Sequence, residues 1–174
     1  TEDANGNLWL GTEDAGVVKL VTGGMVSFGL ADGLSARPIA SVFEDGAGGL
    51  YVITAGVTTR DLHRLDGERF TGVRPRLPAS IRDLGWGAKQ VSFRDRTGTW
   101  WIATGEGLCR YRPGTRFEYL PHTLPERTYT RRDGLAGDNV FRLYEDRRGD
   151  IWVGTIGPGE DGLAVWRRGT GRIE

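Results

Sequence analysis

Cysteine, methionine and histidine are scarce in this chain of 174 residues, with one, one and two copies. Cys109 is the sole cysteine, so a disulfide within the chain is excluded. Basic and acidic residues number 23 each, which argues against nucleic acid or an anionic membrane surface as the partner. No apolar run approaches the ~18 residues of a membrane helix, and no signal peptide is present, so we expect no direct membrane insertion in this segment.

Glycine, by contrast, is plentiful. An eleven-residue sequence motif, which we call the recurring phrase, occurs four times in the chain. There are 28 glycines, against a usual share of roughly 7%, which predicts many tight turns. The phrase reads EDANGNLWLGT, EDGAGGLYVIT, RDRTGTWWIAT and EDRRGDIWVGT, and its last residue is Thr12, Thr54, Thr104 and Thr155. Recurrence at this period indicates a repeat architecture. We divide residues 1–174, a single segment, into repeats of about 1–38, 39–89, 90–138 and 139–174, and expect a piece of a longer protein because Thr1 falls inside a repeat.

Each repeat predicts four short antiparallel strands. In the last repeat, VFRLYE and DIWVGT flank an Asp-x-x-Gly turn, LAVWRR follows a glycine-rich loop, and RIE begins a fourth strand. The corresponding third strands are GVVKL, DLHRL and GLCRY, and the fourth strands are MVSFGL, RFTGV and RFEYL. The first repeat is expected to lack its leading strand, and the last repeat a complete outer strand.

The second strands are apolar at successive positions, as in LWL, LYVI, WWIA and IWV. Continuous apolarity indicates a strand buried on both faces, as in a blade between two neighbouring blades. No segment has a helical period of ten or more residues. The predicted fold class is therefore all-β, a β-propeller fragment of about four blades. A β-sandwich also has short strands but does not explain the recurring phrase.

The repeats resemble the two-component regulator propeller family. VFRLYEDRRGDIWVGT, GLCRYRPGTRFEYL and the DGL tripeptides at 32–34 and 133–135 carry the resemblance, while Tyr51, Ile53 and Ala103 depart from it. The resemblance implies a sensory domain in a periplasmic or other extracytoplasmic location, ahead of a membrane helix and a kinase. It also implies ligand or partner recognition without catalysis, and it implies no cofactor.

Recognition is predicted on one side of the blades. The turns at Asp45–Gly48, Asp95–Gly98 and Asp146–Gly149 share the first side. The long connections 73–89 and 120–138 share the second side with the loops at 13–15, 55–60, 105–106 and 156–161. Arginines beside an aromatic ring suit a sugar with acidic substituents or a protein anchor. The candidate ligand-binding residues are Trp86, Arg82, Arg131, Glu106, Tyr129 and His122. Trp86 has a second interpretation, in which it folds back onto the blade edge.

Other function classes stay open. The ligand is an unidentified small molecule or oligosaccharide, and the alternative is a protein–protein or dimerisation scaffold that pairs through the end blades. An enzyme acting on carbohydrate would use loop carboxylates, namely Glu13, Asp14, Asp61, Glu106, Glu160 and Asp161. No spaced histidine or cysteine cluster predicts a metal site. The aspartates of the four turns are expected to bind backbone N–H groups, and both histidines are expected at the surface or rim.

Overall fold

The chain is all-β, as predicted. A computed structural model describes residues 1–56, 59–85, 91–159 and 161–174. These residues form 15 strands and three 3-10 helices, and no α-helix occurs among them. They divide into two compact units, Thr1–Pro75 and Arg76–Glu174, each of which contains two antiparallel sheets.

Unit 1 contains a three-stranded and a four-stranded sheet. Sheet 1 consists of β1 (Leu8–Gly11), β2 (Val17–Val21) and β3 (Gly24–Phe28). Sheet 2 consists of β4 (Ile39–Glu44), β5 (Leu50–Ala55), β6 (Arg60–Asp66) and β7 (Arg69–Val73). The 3-10 helix Leu30–Asp32 connects them. Sheet 1 has no strand corresponding to β4, as the sequence predicted.

Unit 2 contains two four-stranded sheets. Sheet 3 consists of β8 (Ser92–Arg94), β9 (Trp100–Thr104), β10 (Gly107–Arg110) and β11 (Arg127–Tyr129). Sheet 4 consists of β12 (Val140–Glu145), β13 (Ile151–Thr155), β14 (Gly162–Arg167) and the two-residue β15 (Arg172–Ile173). Two 3-10 helices, Phe117–His122 and Arg131–Asp133, flank β11.

The prediction of a strand at RFEYL is wrong. Residues Phe117–His122 form a 3-10 helix, and the outer strand of sheet 3 is β11. Phe117 and Leu120 are both buried while the residues between them are exposed. A spacing of three residues places both on one side of a 3-10 helix, whereas in a strand they would point to opposite faces.

The recurring phrase encodes a turn closed by an aspartate. In sheet 3, Asp95 Oδ1 accepts hydrogen bonds from the N–H groups of Thr97 and Thr99, both at 2.9 Å. Gly98, the last residue of the Asp-x-x-Gly motif, has φ of 78°, which favours glycine. The aspartates at 3, 45 and 146 accept the same pair of backbone bonds. The predicted role of the turn aspartates is therefore confirmed.

The same aspartates also hold the aromatic ring six residues further on. Trp101 Nε1 donates to Asp95 Oδ2 at 2.9 Å. Trp9 and Trp152 donate to Asp3 and Asp146 in the same way, at 2.7 and 3.1 Å. In sheet 2 the hydroxyl of Tyr51 reaches Asp45 at 3.3 Å. The phrase thus joins a tight turn to an oriented aromatic side chain on the following strand.

The aromatic residues pack the core between the sheets of each unit. In unit 1, Trp9, Val17 and Phe28 of sheet 1 belong to one buried cluster with residues of sheet 2. In unit 2, the ring of Trp101 lies 4.9 Å from that of Trp166 in sheet 4. The second strands β5 and β9 are buried at nearly every position, as predicted. Strand β1 differs because only Trp9 is buried.

Gly33 illustrates how the DGL tripeptide fits between the sheets. Gly33 has φ of 100°, and a Cβ there would collide with the carbonyl oxygen of Phe70. Gly23 has a similar φ of 90°, but no atom lies within 4 Å of its Cβ position. We expect Gly23→Ala to cost about 1 kcal/mol, from backbone strain alone. Gly33→Ala is expected to cost about 3 kcal/mol because the carbonyl must also move. Urea denaturation of both variants measures the difference, and equal losses would contradict the close approach.

Candidate functional site

Two ends of the sheets differ in character. We call the Asp-x-x-Gly turns at 95–98 and 146–149 the turn side of unit 2. The loop side of unit 2 comprises segments 82–85, 105–106 and 130–139. Thr104 and Gly107 pair at the loop-side end of β9 and β10, and Val140 pairs with Thr155 at the corresponding end of sheet 4.

Glu106 anchors one loop to another on the loop side. Its carboxylate accepts hydrogen bonds from the backbone N–H groups of Arg82 and Asp83. Gly105 N donates to Asp83 O at 3.0 Å, and Gly85 N donates to Asp83 Oδ1 at 2.8 Å. The bonds from the Arg82 and Asp83 amides lower the pKa of the Glu106 carboxyl. Two predicted site residues, Arg82 and Glu106, therefore lie together, and both are exposed.

Arg131 lies on the third segment of the loop side. It begins the 3-10 helix Arg131–Asp133, and its N–H donates to Asp138 Oδ1 at 2.7 Å. The Asp133 carboxylate accepts from Thr130 N at 2.9 Å, which fixes the start of this helix. Arg131 and Arg132 are exposed. The segment reaches the first loop because a Cβ on Gly85 would lie 3.1 Å from Asn139 Oδ1.

The sequence analysis placed Tyr129 in an exposed loop, and the structure shows that this prediction is wrong. It belongs to β11, only 3% of its surface is exposed, and its ring stacks on Trp101 at 6.3 Å. Its hydroxyl accepts a hydrogen bond from Trp166 Nε1 at 3.0 Å. Tyr129 therefore supports the core beneath the loop side and does not offer its ring to a solute.

His122 is exposed, but its connection lies at a different end of sheet 3 from Glu106. Arg110 and Arg127 pair, so the connection carrying His122 leaves and re-enters sheet 3 at the end opposite Gly107. The expected loop 120–138 is thus interrupted by β11, with His122 before the strand and Arg131 after it. Trp86 and Glu160 lie outside the described residues.

The sequence analysis missed a polar cluster in unit 1, at Ser35, Thr54, Asp61, His63 and Arg74. Arg74 Nε donates to Asp61 Oδ1 at 2.7 Å, and the hydroxyls of Ser35 and Thr54 are 2.9 Å apart. His63 Nε2 accepts from the backbone N–H of Ser35 at 3.0 Å. His63 is buried, which corrects the expectation of a surface or rim histidine. Alignment of the repeats could have indicated that His63 is buried. Cys109 and Ala164 occupy the same position of their repeats, and both are buried.

Burial of His63 predicts a loss of stability in mild acid. Burial lowers the pKa of His63, against the opposing charge of Asp61. The folded protein therefore binds fewer protons than the unfolded chain below the unfolded pKa of about 6.5, and stability falls as the pH falls through that value. The slope is at most about 1.4 kcal/mol per pH unit for one proton.

Urea denaturation between pH 7.5 and 5.5 measures this effect. His63→Gln keeps an oxygen to accept the Ser35 N–H and removes the titration, so its stability is expected to change less over this range. His122→Gln is the matched control at an exposed histidine, and it should retain the dependence of the parent. An unchanged dependence in His63→Gln would contradict the assignment.

Two loop carboxylates of the enzyme hypothesis, Asp61 and Glu106, do not have the raised pKa of a general acid. Burial raises the pKa of Asp61, but hydrogen bonds from Arg74 and Ser35 outweigh it, so the pKa is lowered. The pKa of Glu106 is also lowered. A general acid at neutral pH requires a raised pKa.

Among the described residues, no three His, Cys, Asp or Glu side chains are grouped to hold a metal ion. In the same part of the chain, no helix is long and apolar enough to cross a membrane.

Residues 134–157 match the model of a family described as two component regulator propeller. This stretch includes the last two residues of the DGL tripeptide at 133–135 and the whole fourth copy of the recurring phrase. The resemblance to this family, predicted from the sequence, is confirmed. No curated protein matches the chain.

Solved structures share the fold. One is the extracellular domain of BT4673 from B. thetaiotaomicron, described as a one component system, with TM-score 0.72 and 19% identity over 100% of this chain and 24% of that chain. The extracellular domain of BT3049, described as a hybrid two component system of the same organism, has TM-score 0.67 and 19% identity. The match covers 99% of this chain and 22% of that chain. PorZ of Porphyromonas gingivalis, a surface component of the type-IX secretion system, has TM-score 0.63 and 15% identity over 99% and 26%. The chain spans about a quarter of their length.

Proposed function

We propose that this chain is part of an extracytoplasmic sensory module whose loop side recognises an acidic oligosaccharide. The observation that carries the proposal is the anchoring of the Arg82 backbone by Glu106 on the loop side. This bond holds an irregular loop on a sheet scaffold and leaves the guanidinium of Arg82 exposed. Loops positioned by a rigid scaffold are where recognition usually resides.

The location and the sensory role are supported by the comparisons. BT4673 and BT3049 are described as extracellular domains of one component and hybrid two component systems, and PorZ is described as a surface component. The matched family model is that of regulator propellers. A recognition domain outside the membrane, coupled to a signalling output elsewhere, fits the descriptions of BT4673 and BT3049.

The exposed arginines of the loop side favour an anionic ligand. Arg82, Arg131 and Arg132 are exposed there, and a guanidinium binds a carboxylate through two parallel hydrogen bonds. Trp86 follows Arg82 by four residues and supplies an aromatic ring of the kind that anchors binding sites. Sugars with carboxylate substituents combine both requirements. Lowered pKa values at Glu106 and Asp61 favour binding without catalysis.

Isothermal titration with tetragalacturonate tests the proposal, with neutral cellotetraose as the control ligand. Arg82→Gln removes the guanidinium but keeps the backbone N–H that Glu106 binds, so the loop stays anchored. We expect this variant and Trp86→Ala each to weaken tetragalacturonate binding about tenfold or more. Arg112→Gln removes an exposed arginine near the other end of β10 and should bind like the parent.

Three results would reject the acidic-sugar assignment. These are equal affinity for cellotetraose, undiminished binding by both loop-side variants, or no binding of tetragalacturonate. Binding that requires Arg82 but not Trp86 would keep the arginine assignment and support the interpretation in which Trp86 packs on the blade edge.

A further inference from the structure

Sheet 2 carries polar side chains at positions where the other repeats carry glycine or an apolar residue. The residues aligned with Asp61 are Gly16, Gly107 and Gly162, and those aligned with His63 are Val18, Cys109 and Ala164. Ser35 follows one DGL tripeptide, and Ala136 follows the other. The other sheets therefore form without these polar groups, and burying a histidine beside a carboxylate adds a cost. Residues that break a structural pattern in this way mark a functional feature.

The ring of His63 binds the connection between sheets 1 and 2. His63 is 1% exposed, and its Nε2 accepts the backbone N–H of Ser35 at 3.0 Å. A ring nitrogen that accepts a hydrogen bond carries no proton, so this bond requires the neutral ring with its proton on Nδ1. Gly72 leaves room for the ring, because a Cβ there would lie 2.7 Å from His63 Cδ2. The contact is therefore specific to neutral histidine.

The connection is anchored on both sides of this contact. Leu34 is 4% exposed and belongs to the core cluster of unit 1, and the carbonyl of Pro38 accepts from Ala55 N at 2.9 Å. We call the three residues between these anchors, 35–37, the Ser35 segment. Ser35 Oγ lies 2.9 Å from Thr54 Oγ1, and the same hydroxyl donates to Asp61. Ser35 is nevertheless exposed, so the Ser35 segment can move without disturbing the core.

A proton on His63 Nε2 would disrupt this arrangement. It would place two donors, the ring N–H and the Ser35 N–H, against each other. Asp61 is a charge that acts on His63, but Arg74 Nε and Nη2 already donate to its two oxygens at 2.7 and 3.2 Å. The residues opposite His63 on β5 and β7, and the one that donates to it from the connection, carry no charge, namely Val52, Gly72 and Ser35. A buried imidazolium here lacks compensation and is costly.

We infer that the Ser35 segment is closed on sheet 2 while His63 is neutral and opens when His63 takes up a proton from solvent. Opening transfers the Ser35 N–H from Nε2 to water and lets water hydrate the charged ring. This local change is distinct from the loss of global stability expected in mild acid, and it does not depend on the acidic-sugar assignment. Given the proposed extracytoplasmic location, it makes the external pH an input to the domain.

Native-state hydrogen exchange of the Ser35 amide at pH 7.5 and 5.5, in zero to low urea, tests this inference. Protection factors remove the effect of pH on the intrinsic exchange rate. The ring has a pKa of about 6.5 when exposed and a lower pKa when buried, so the Ser35 protection factor should fall by up to about tenfold over this range. The fall should not depend on urea, because a local opening exposes little surface. The Val52 amide, in the central strand β5, supplies the urea dependence of global unfolding.

Three variants separate the proton effect from a packing effect. His63→Gln offers an oxygen to the Ser35 N–H and does not titrate, so its Ser35 protection should be the same at both pH values. His122→Gln, at an exposed histidine, should behave like the parent. Asp61→Asn removes the negative charge that favours the protonated ring, so the fall in protection should move to lower pH.

Four results would overturn the inference. These are a pH-independent Ser35 protection factor in the parent, an equal fall in His63→Gln, an unshifted pH profile in Asp61→Asn, or a Ser35 amide with the urea dependence of Val52. The last result would mean that the segment opens only when the whole unit unfolds, and it would leave the stability prediction for His63 intact. Circular dichroism establishes that each variant is folded, and Asp61→Asn decides the matter if His63→Gln does not fold.

Discussion

Trp101→Ala is expected to lower the free energy of unfolding by about 4 kcal/mol, as is typical when a fully buried aromatic ring is removed. Trp101 is completely buried, lies 4.9 Å from the ring of Trp166 and donates its indole N–H to Asp95. Its loss leaves a cavity between sheets 3 and 4 and removes the partner of a buried carboxylate. Urea denaturation followed by circular dichroism measures the change.

Trp152→Ala is the matched control for that prediction. Trp152 occupies the same repeat position and makes the same bond to its turn aspartate, but it is only half-buried. We expect a loss of about 1–2 kcal/mol, because less apolar surface leaves water there on folding. Equal losses at 101 and 152 would contradict this difference in burial.

Asp95→Ala is expected to cost about 4 kcal/mol. Its side chain is 0% exposed and accepts bonds from the Thr97 and Thr99 amides, from Trp101, and from Arg168 Nη2 at 2.9 Å. Alanine leaves these buried donors without an acceptor, and removing one partner of a buried ion pair is costly. Asp146→Ala removes the equivalent carboxylate where it is less buried, so a clearly smaller loss is expected. Thermal and urea denaturation of both variants compare the two sites, and a larger loss at 146 would contradict this account.

The protonation of Asp95 adds a pH test. Burial raises the pKa of this carboxyl, but hydrogen bonds from Thr97, Trp101 and Arg168 outweigh it and lower the pKa. Its contribution is therefore present above the unfolded pKa of about 3.9 and is lost as the pH falls through the lower folded value. The difference in free energy of unfolding between the parent protein and Asp95→Ala should therefore become smaller as the pH falls through that acid range. Urea denaturation at several pH values measures it.

The turn and strand pattern could be predicted because it is local. An aspartate, a glycine three residues later and an aromatic residue six later lie within one hairpin, so the sequence between Asp146 and Trp152 contains every group involved. Repetition then identified the fold class. The aromatic content of Phe117–His122 predicts a strand, whereas the three-residue spacing of its buried residues fits the observed 3-10 helix.

The site depended on contacts that the sequence does not encode locally. Glu106 and Arg82 are 24 residues apart, and an irregular loop brings them together through backbone amides, which any residue carries. Tyr129 was misplaced because its three-residue strand is too short to show alternation. His63 occupies the repeat position of buried Cys109, but its residue type alone predicts the surface.

Hydrogen exchange with and without saturating tetragalacturonate tests most directly whether recognition lies on the loop side of a repeat scaffold. The account predicts slower amide exchange in 82–85, 105–106 and 130–139. Exchange in the turns at 95–98 and 146–149 should not change. Protection of the turns, or unchanged exchange across all three loop-side segments, would contradict it.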